Sequence, residues 1–150
     1  MPKIEQSMTI AAPPEIVFAA LASVRHSPSW ISALTSVRDI PMEVGVGSRF
    51  VETATFMGKE MESGREVTIY EPPRCFAHRS TSGPVPQELM MCVEPVDGGS
   101  SLTVRFEAEP NEFFGTLPLN VLVVAMEVLI RGNLKKLKSM LEHGDWPPMG

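Results

Sequence analysis

Residues 66–82 constrain the fold of this chain more than any other stretch. Two runs rich in β-branched and aromatic residues, 67–70 and 75–78, lie on either side of Pro72 and Pro73. Adjacent prolines cannot donate hydrogen bonds to a β-ladder, so they belong in a turn and not inside a strand. The sequence therefore predicts a β-hairpin here, within a longer region of strands.

Hydrophobic periodicity and turn signals predict the remaining elements. Alternation over residues 3–10 predicts a first strand, and two short helices follow it. The second of these helices is expected at residues 28–34, with Ser27 as its N-cap. Further strands are predicted at residues 37–40, 48–56, 60–70, 74–82, 87–96 and 101–109. A long amphipathic helix over residues 117–143 is expected to cover the apolar face of the sheet, which cannot remain in water.

Length and composition narrow the classes of protein. A chain of 150 residues is expected to form one domain over residues 1–150. Its net charge of -5 argues against nucleic acid as a partner, because phosphate binding needs a basic face. The longest apolar stretch, residues 117–130, is too short and too polar to span a bilayer. With no signal peptide apparent, we predict a cytoplasmic location.

The cysteine pattern points away from a metal site. The chain has two cysteines, Cys75 and Cys92, no CxxC motif and no clustered histidines. These features predict two reduced thiols and neither a disulfide nor a metal centre. Phosphate-binding and hydrolase motifs are also absent from the sequence, so no cofactor is predicted.

A hairpin with Gly58 at its turn predicts which strand residues share the inner face. In this register Glu52 lies directly opposite Arg65. The other face of the second strand carries three glutamates and is therefore expected to meet solvent. The concave face then carries Glu52 and Arg65, and the next strand adds His78.

Each of these groups has two interpretations. The Glu52 and Arg65 pair is either a salt bridge that braces the sheet or a polar anchor for the oxygen atoms of a ligand. His78 is either a hydrogen-bonded core residue or a general acid or base. Tyr70, the only tyrosine, is a packing residue, a cavity hydroxyl or a catalyst.

The other inward positions are mainly apolar and predict a ligand cavity between the sheet and the last helix. Ten methionines suit either a core or a binding surface that must adapt its shape. The candidate ligand-binding residues are Trp30, Phe50, Glu52, Phe56, Arg65, Tyr70, Phe76, His78, Met91, Val104, Phe106, Met126 and Ile130.

Several phrases resemble the START-like, polyketide cyclase/dehydrase and lipid-transport superfamily. They are IAAPPEIVFAAL (10–21), the region around Trp30, VGVGSRF (44–50), VTIYEPPRCFAHRSTSGP (67–84), EPVDGGSSLTV (94–104) and the closing helix. The resemblance covers nearly the whole chain and implies an α+β helix-grip fold. In this fold a curved antiparallel sheet of six to seven strands wraps around a long C-terminal helix, with two short helices after the first strand.

The resemblance leaves three functions open. The first is binding of a hydrophobic small molecule or lipid in the cavity, with a homodimer as a further expectation. The second is a cyclase/dehydrase-type enzyme in which His78, with Glu52 or Tyr70, moves a proton. The third is a partner-binding module, which would need an exposed apolar patch.

Overall fold

The computed structural model describes residues 3–109 and 111–148 and shows an α+β fold. Seven strands precede a long C-terminal helix, and a short helix follows the first strand. Two short 3₁₀ helices, Val24–Ser29 and Glu112–Phe114, lie in the connections. The strands and α-helices, in chain order, are β1 (Lys3–Ile10), α1 (Pro14–Ala22), β2 (Leu34–Arg38), β3 (Arg49–Phe56), β4 (Lys59–Glu71), β5 (Cys75–Ser80), β6 (Gln87–Val96), β7 (Gly99–Ala108) and α2 (Leu119–Glu142).

All seven strands form one antiparallel sheet in the order β1-β7-β6-β5-β4-β3-β2. Helix α2 is tied to this sheet, since the side-chain amide of Gln6 on β1 donates to the carbonyl oxygen of Glu127 at 2.8 Å. The predicted helix-grip fold is thus confirmed. None of the helices in the described ranges is long and apolar enough to cross a membrane.

The β3–β4 hairpin corrects the predicted register. Its turn has two residues, Met57 and Gly58, with φ angles of 51° and 79°, as the twist of a tight hairpin requires. Glu52 is therefore opposite Ser63, and Arg65 is opposite Phe50. The predicted pairing of Glu52 directly with Arg65 was wrong by two residues. Because strand side chains alternate with a period of two, the same residues still face inward.

The predicted second short helix is misplaced. The chain forms a 3₁₀ helix over Val24–Ser29 instead of a helix over 28–34, and Ser27 lies inside it. Pro28 lies inside this helix and not at its first position, where the prediction placed it. The next strand also begins earlier than residue 37, since the carbonyl of Ala33 already accepts from the backbone N–H of Thr55 at 2.8 Å.

The two cysteines also differ from the prediction. Cys75 on β5 lies directly opposite Cys92 on β6, with 4.2 Å between their Cα atoms, and the two form a disulfide. The prediction of reduced thiols was wrong because a separation of 17 residues does not reveal the register of β5 against β6. Phe76 and Met91, the neighbours of the cysteines, are buried in the core, so the disulfide lies on the convex face.

Helix α2 is buried unevenly along its length. Ile130, Leu134, Leu137 and Leu141 are buried, whereas residues 119–129 all keep part of their surface exposed. The C-terminal half of α2 therefore packs into the core, and its N-terminal half covers a space beneath it.

Candidate functional site

A cavity of about 210 Å³ lies between the concave face of the sheet and the N-terminal half of α2. Its wall is mainly apolar, with a few polar side chains from the central strands. Ten of the thirteen candidate residues line it: Trp30, Glu52, Phe56, Arg65, His78, Met91, Val104, Phe106, Met126 and Ile130.

Phe50, Tyr70 and Phe76 do not line the cavity, contrary to the prediction. Phe18 of α1 is near two of them, with its ring centroid 5.6 Å from that of Tyr70 and 6.5 Å from that of Phe76. Phe50 and Phe76 are almost completely buried. Tyr70 and Phe76 therefore lie beneath α1, where Phe18 packs against them.

Sequence reasoning missed Asn133, which lines the cavity from α2 and is buried. Its side-chain oxygen accepts from the backbone N–H and the hydroxyl of Ser32, at 3.0 and 3.1 Å. A signal was present, because Asn133 interrupts the apolar stripe of α2 next to Leu134. A polar residue on the buried face of a helix needs a partner, and here the partner is Ser32.

Glu52 and Arg65 form a buried ion pair at the polar side of the cavity. Glu52 Oε1 lies 3.1 Å from Arg65 Nε, and their side chains are only 8% and 7% exposed. Burial raises the pKa of Glu52, and the positive charge of Arg65 partly offsets that rise. Burial likewise lowers the pKa of Arg65, and Glu52 opposes this. The contact does not have hydrogen-bond geometry, so the attraction between the two charges is its main component.

His78 is buried against two aromatic rings, with centroids 5.3 Å from Phe50 and 5.8 Å from Phe76. Burial lowers its pKa well below the usual value, and the nearby charge of Arg65 lowers it further. The imidazole is therefore neutral at neutral pH. A neutral imidazole can donate with one ring nitrogen and accept with the other.

Four buried polar atoms of three residues that line the cavity have no hydrogen-bond partner within the described part of the chain. They are Trp30 Nε1, Arg65 Nε, Arg65 Nη1 and His78 Nδ1, of which Arg65 Nε has only its charge contact with Glu52. An unsatisfied buried polar group costs about 1–3 kcal/mol, and more if it is charged. All four atoms belong to residues that line the cavity, so unsatisfied buried polar groups are concentrated around it.

An aromatic segment before α2 contributes to the wall of the cavity. Phe114 lines the cavity and meets Phe56 of β3 edge to face, with 5.4 Å between the ring centroids. Phe113 meets Phe114 edge to face, with 4.9 Å between the ring centroids, and Lys59 donates to the carbonyl oxygen of Phe113. This contact ties the β3–β4 hairpin to the segment that leads into α2.

No metal centre is evident in residues 3–109 and 111–148, since they contain no group of three His, Cys, Asp or Glu side chains that could hold an ion. The buried carboxylate on the cavity wall, Glu52, already faces a guanidinium.

Comparison with known proteins identifies the family. The model of the family described as polyketide cyclase / dehydrase and lipid transport matches residues 1–142. The chain therefore belongs to this family. A search of curated proteins gives no match.

Solved structures show the same fold at low sequence identity. A protein from Thermus thermophilus superposes with a TM-score of 0.81 at 19% identity, covering 95% of this chain and 99% of that one. A START superfamily protein from Mycobacterium smegmatis gives 0.79 at 14% identity, with coverages of 94% and 97%. A conserved protein from Geobacillus kaustophilus gives 0.80 at 16% identity, with coverages of 95% and 97%. At such identities the likeness establishes the fold alone.

Proposed function

We propose that this protein binds a hydrophobic small molecule or lipid in the cavity between the sheet and α2. One observation carries the proposal: the mainly apolar cavity is lined by three residues, Trp30, Arg65 and His78, that have buried polar atoms without a hydrogen-bond partner among the described residues. An apolar wall with a few placed polar groups is the usual composition of a small-molecule site. Family membership agrees with this function at the level of the class.

The size of the cavity limits the ligand. Its volume of about 210 Å³ lies below the roughly 300–1,000 Å³ of sites for drug-sized molecules. The ligand is therefore small or slender, or the N-terminal half of α2 moves outward to admit it. Met126 and Ile130 of α2 would contact its apolar part. Arg65 and His78 would contact its polar end.

A matched pair of tryptophan substitutions tests this function. Met126 lines the cavity, whereas Val128, on the same helix, is 65% exposed. Met126→Trp should fill the cavity and abolish binding of an alkyl ketone measured by calorimetry, and Val128→Trp should leave binding unchanged. A ligand at a hundredfold excess over its dissociation constant should stabilise the wild type by about 2.7 kcal/mol. Equal binding by both variants would show that the ligand lies elsewhere.

A second function, proton transfer of the cyclase/dehydrase type, is favoured by His78. The unpartnered Nδ1 of this neutral imidazole, beside the cavity, could take a proton from a carbon next to a carbonyl group. Arg65 Nη1 would stabilise the oxygen that becomes negative. Glu52 remains a candidate partner because it lines the same cavity, whereas Tyr70 does not.

Deuterium exchange separates the two functions. Methyl octyl ketone in deuterated buffer should exchange the hydrogens next to its carbonyl faster with the wild type than with His78→Gln. If both proteins bind the ketone and neither accelerates exchange, the enzyme function is ruled out for this substrate and binding alone remains.

The homodimer and the cytoplasmic location stay proposals. The outward face of α2 exposes Val121, Val124 and Val128, which lie one helical turn apart and form an apolar stripe that supports self-association. This stripe was not recognised in the sequence. The disulfide between Cys75 and Cys92 weighs against a reducing compartment, because disulfides are rare in cytosolic proteins.

A further inference from the structure

We infer that the polar end of the cavity selects ligands with an uncharged oxygen acceptor, such as a ketone or an ester, over carboxylates of the same chain length. This inference rests on the proposed binding function and narrows its ligand class. It follows from the charge balance of the site and from the kinds of atom that lack partners.

The buried ionisable groups that line the cavity, Glu52, Arg65 and His78, sum to no net charge. Glu52 and Arg65 face each other as opposite charges 3.1 Å apart, and both are buried. His78 contributes no charge because it is neutral at neutral pH. A carboxylate brought into the cavity would therefore be an uncompensated charge in an environment with little water, which is costly.

A carboxylate would also compete with Glu52. Among the described residues that line the cavity, Arg65 supplies the cation, and its Nε already lies against the carboxylate of Glu52. Two carboxylates that share a site repel each other and disfavour joint ionisation. An uncharged oxygen avoids this repulsion and leaves the buried pair intact.

The unpartnered atoms fit an acceptor oxygen. Arg65 Nη1 and Trp30 Nε1 carry only hydrogen-bond donors, and His78 Nδ1 can donate or accept according to its tautomer. A carbonyl oxygen has two lone pairs and can accept from two donors. An alkane would leave every one of these atoms unsatisfied, so the polar group of the ligand contributes to affinity as well as to orientation.

Calorimetry with two ligands of equal chain length tests the inference. At about pH 8, where decanoate is ionised, the wild type should bind methyl octyl ketone at least about tenfold more tightly than decanoate. Glu52→Gln removes the negative partner and leaves the Arg65 cation free for an anion. In this variant the ratio should shift toward decanoate by at least about tenfold.

The outcomes separate the inference from the function on which it rests. If the wild type binds decanoate as tightly as the ketone, or more tightly, the inference is overturned while the binding function stands. This comparison uses the wild type alone, so it tests the inference even if Glu52→Gln does not fold. An unchanged ratio in a folded Glu52→Gln also overturns it. If the wild type binds neither the ketone nor decanoate nor decane, the binding function itself fails.

Discussion

Replacing Arg65 by methionine tests whether the ion pair is as buried as the structure shows. Methionine keeps most of the side-chain length but removes the cation, so Glu52 would remain as an unpaired charge among apolar groups. Breaking a buried pair from one side costs about 3–5 kcal/mol. A typical domain has about 5–15 kcal/mol of stability, so the variant should lose a large part of it.

The pH dependence of this loss has a definite sign. In Arg65→Met the folded-state pKa of Glu52 rises further above its unfolded value, because burial acts on it without an opposing cation. An acid whose pKa is raised in the folded state loses stability as pH rises from its unfolded pKa through its folded pKa. The gap between wild type and variant should therefore be largest near neutral pH and should narrow toward about pH 4.

Urea denaturation at several pH values measures this effect. Arg38→Met is the control, because Arg38 pairs with Glu62 at 2.8 Å on the exposed surface, and the variant should keep the wild-type unfolding midpoint. The double variant Glu52→Gln/Arg65→Met should recover most of the lost stability, since it leaves no unpaired charge. If Arg65→Met lowers the midpoint no more than Arg38→Met does, Glu52 must be hydrated and the buried pair is refuted.

Three further predictions concern His78, the disulfide and two glycines. Because the folded-state pKa of His78 is lowered, the wild type should lose stability as pH falls below about 6.5, by up to about 1.4 kcal/mol per pH unit. His78→Gln should remove this contribution, so its stability should fall less steeply with pH. Parallel pH profiles of the two proteins would argue against a buried neutral imidazole. Protein unfolded without reductant should show no free thiol from Cys75 or Cys92 in a thiol assay. Reducing the disulfide should lower the free energy of unfolding by about 3 kcal/mol for a loop of this length. Two free thiols would contradict the disulfide. Gly132→Ala should stabilise α2 by about 0.5–1 kcal/mol, since an added Cβ meets nothing within 4 Å among the described residues. Gly99→Ala should destabilise the fold, because the added Cβ would collide with the backbone at Ile10. Thermal melts in which both variants shift in the same direction would refute this reasoning.

The alternation of strand residues explains why the inner face was predictable. A register error of two residues in the β3–β4 hairpin left Glu52 and Arg65 on the concave side, because side chains repeat their direction every second residue. The two long side chains then meet diagonally, although their backbones are not opposite each other. The ion pair therefore followed from the pattern even though its backbone register did not.

Position along the sheet was not predictable in the same way. Alternation shows that Phe76 lies on the concave face but not whether α1 or the cavity lies above it. In the structure Phe18 of α1 packs against Phe76, which therefore does not line the cavity. The disulfide was unpredictable for the same reason, since Cys75 meets Cys92 only after β5 and β6 adopt their register. Contacts between elements far apart in sequence depend on the assembled fold, and no local pattern encodes them.

The indole N–H of Trp30 gives the most direct measurement of the central claim. The chain has two tryptophans. Trp30 lines the cavity, and its Nε1 has no hydrogen-bond partner among the described residues. Trp146 lies outside the cavity, next to His26. In proton–nitrogen correlation spectra, titration with methyl octyl ketone should shift the Trp30 indole signal saturably and leave that of Trp146 in place. If the Trp30 signal does not move at saturating ketone, or if both signals drift together without saturation, the cavity does not bind such a ligand and the account is contradicted.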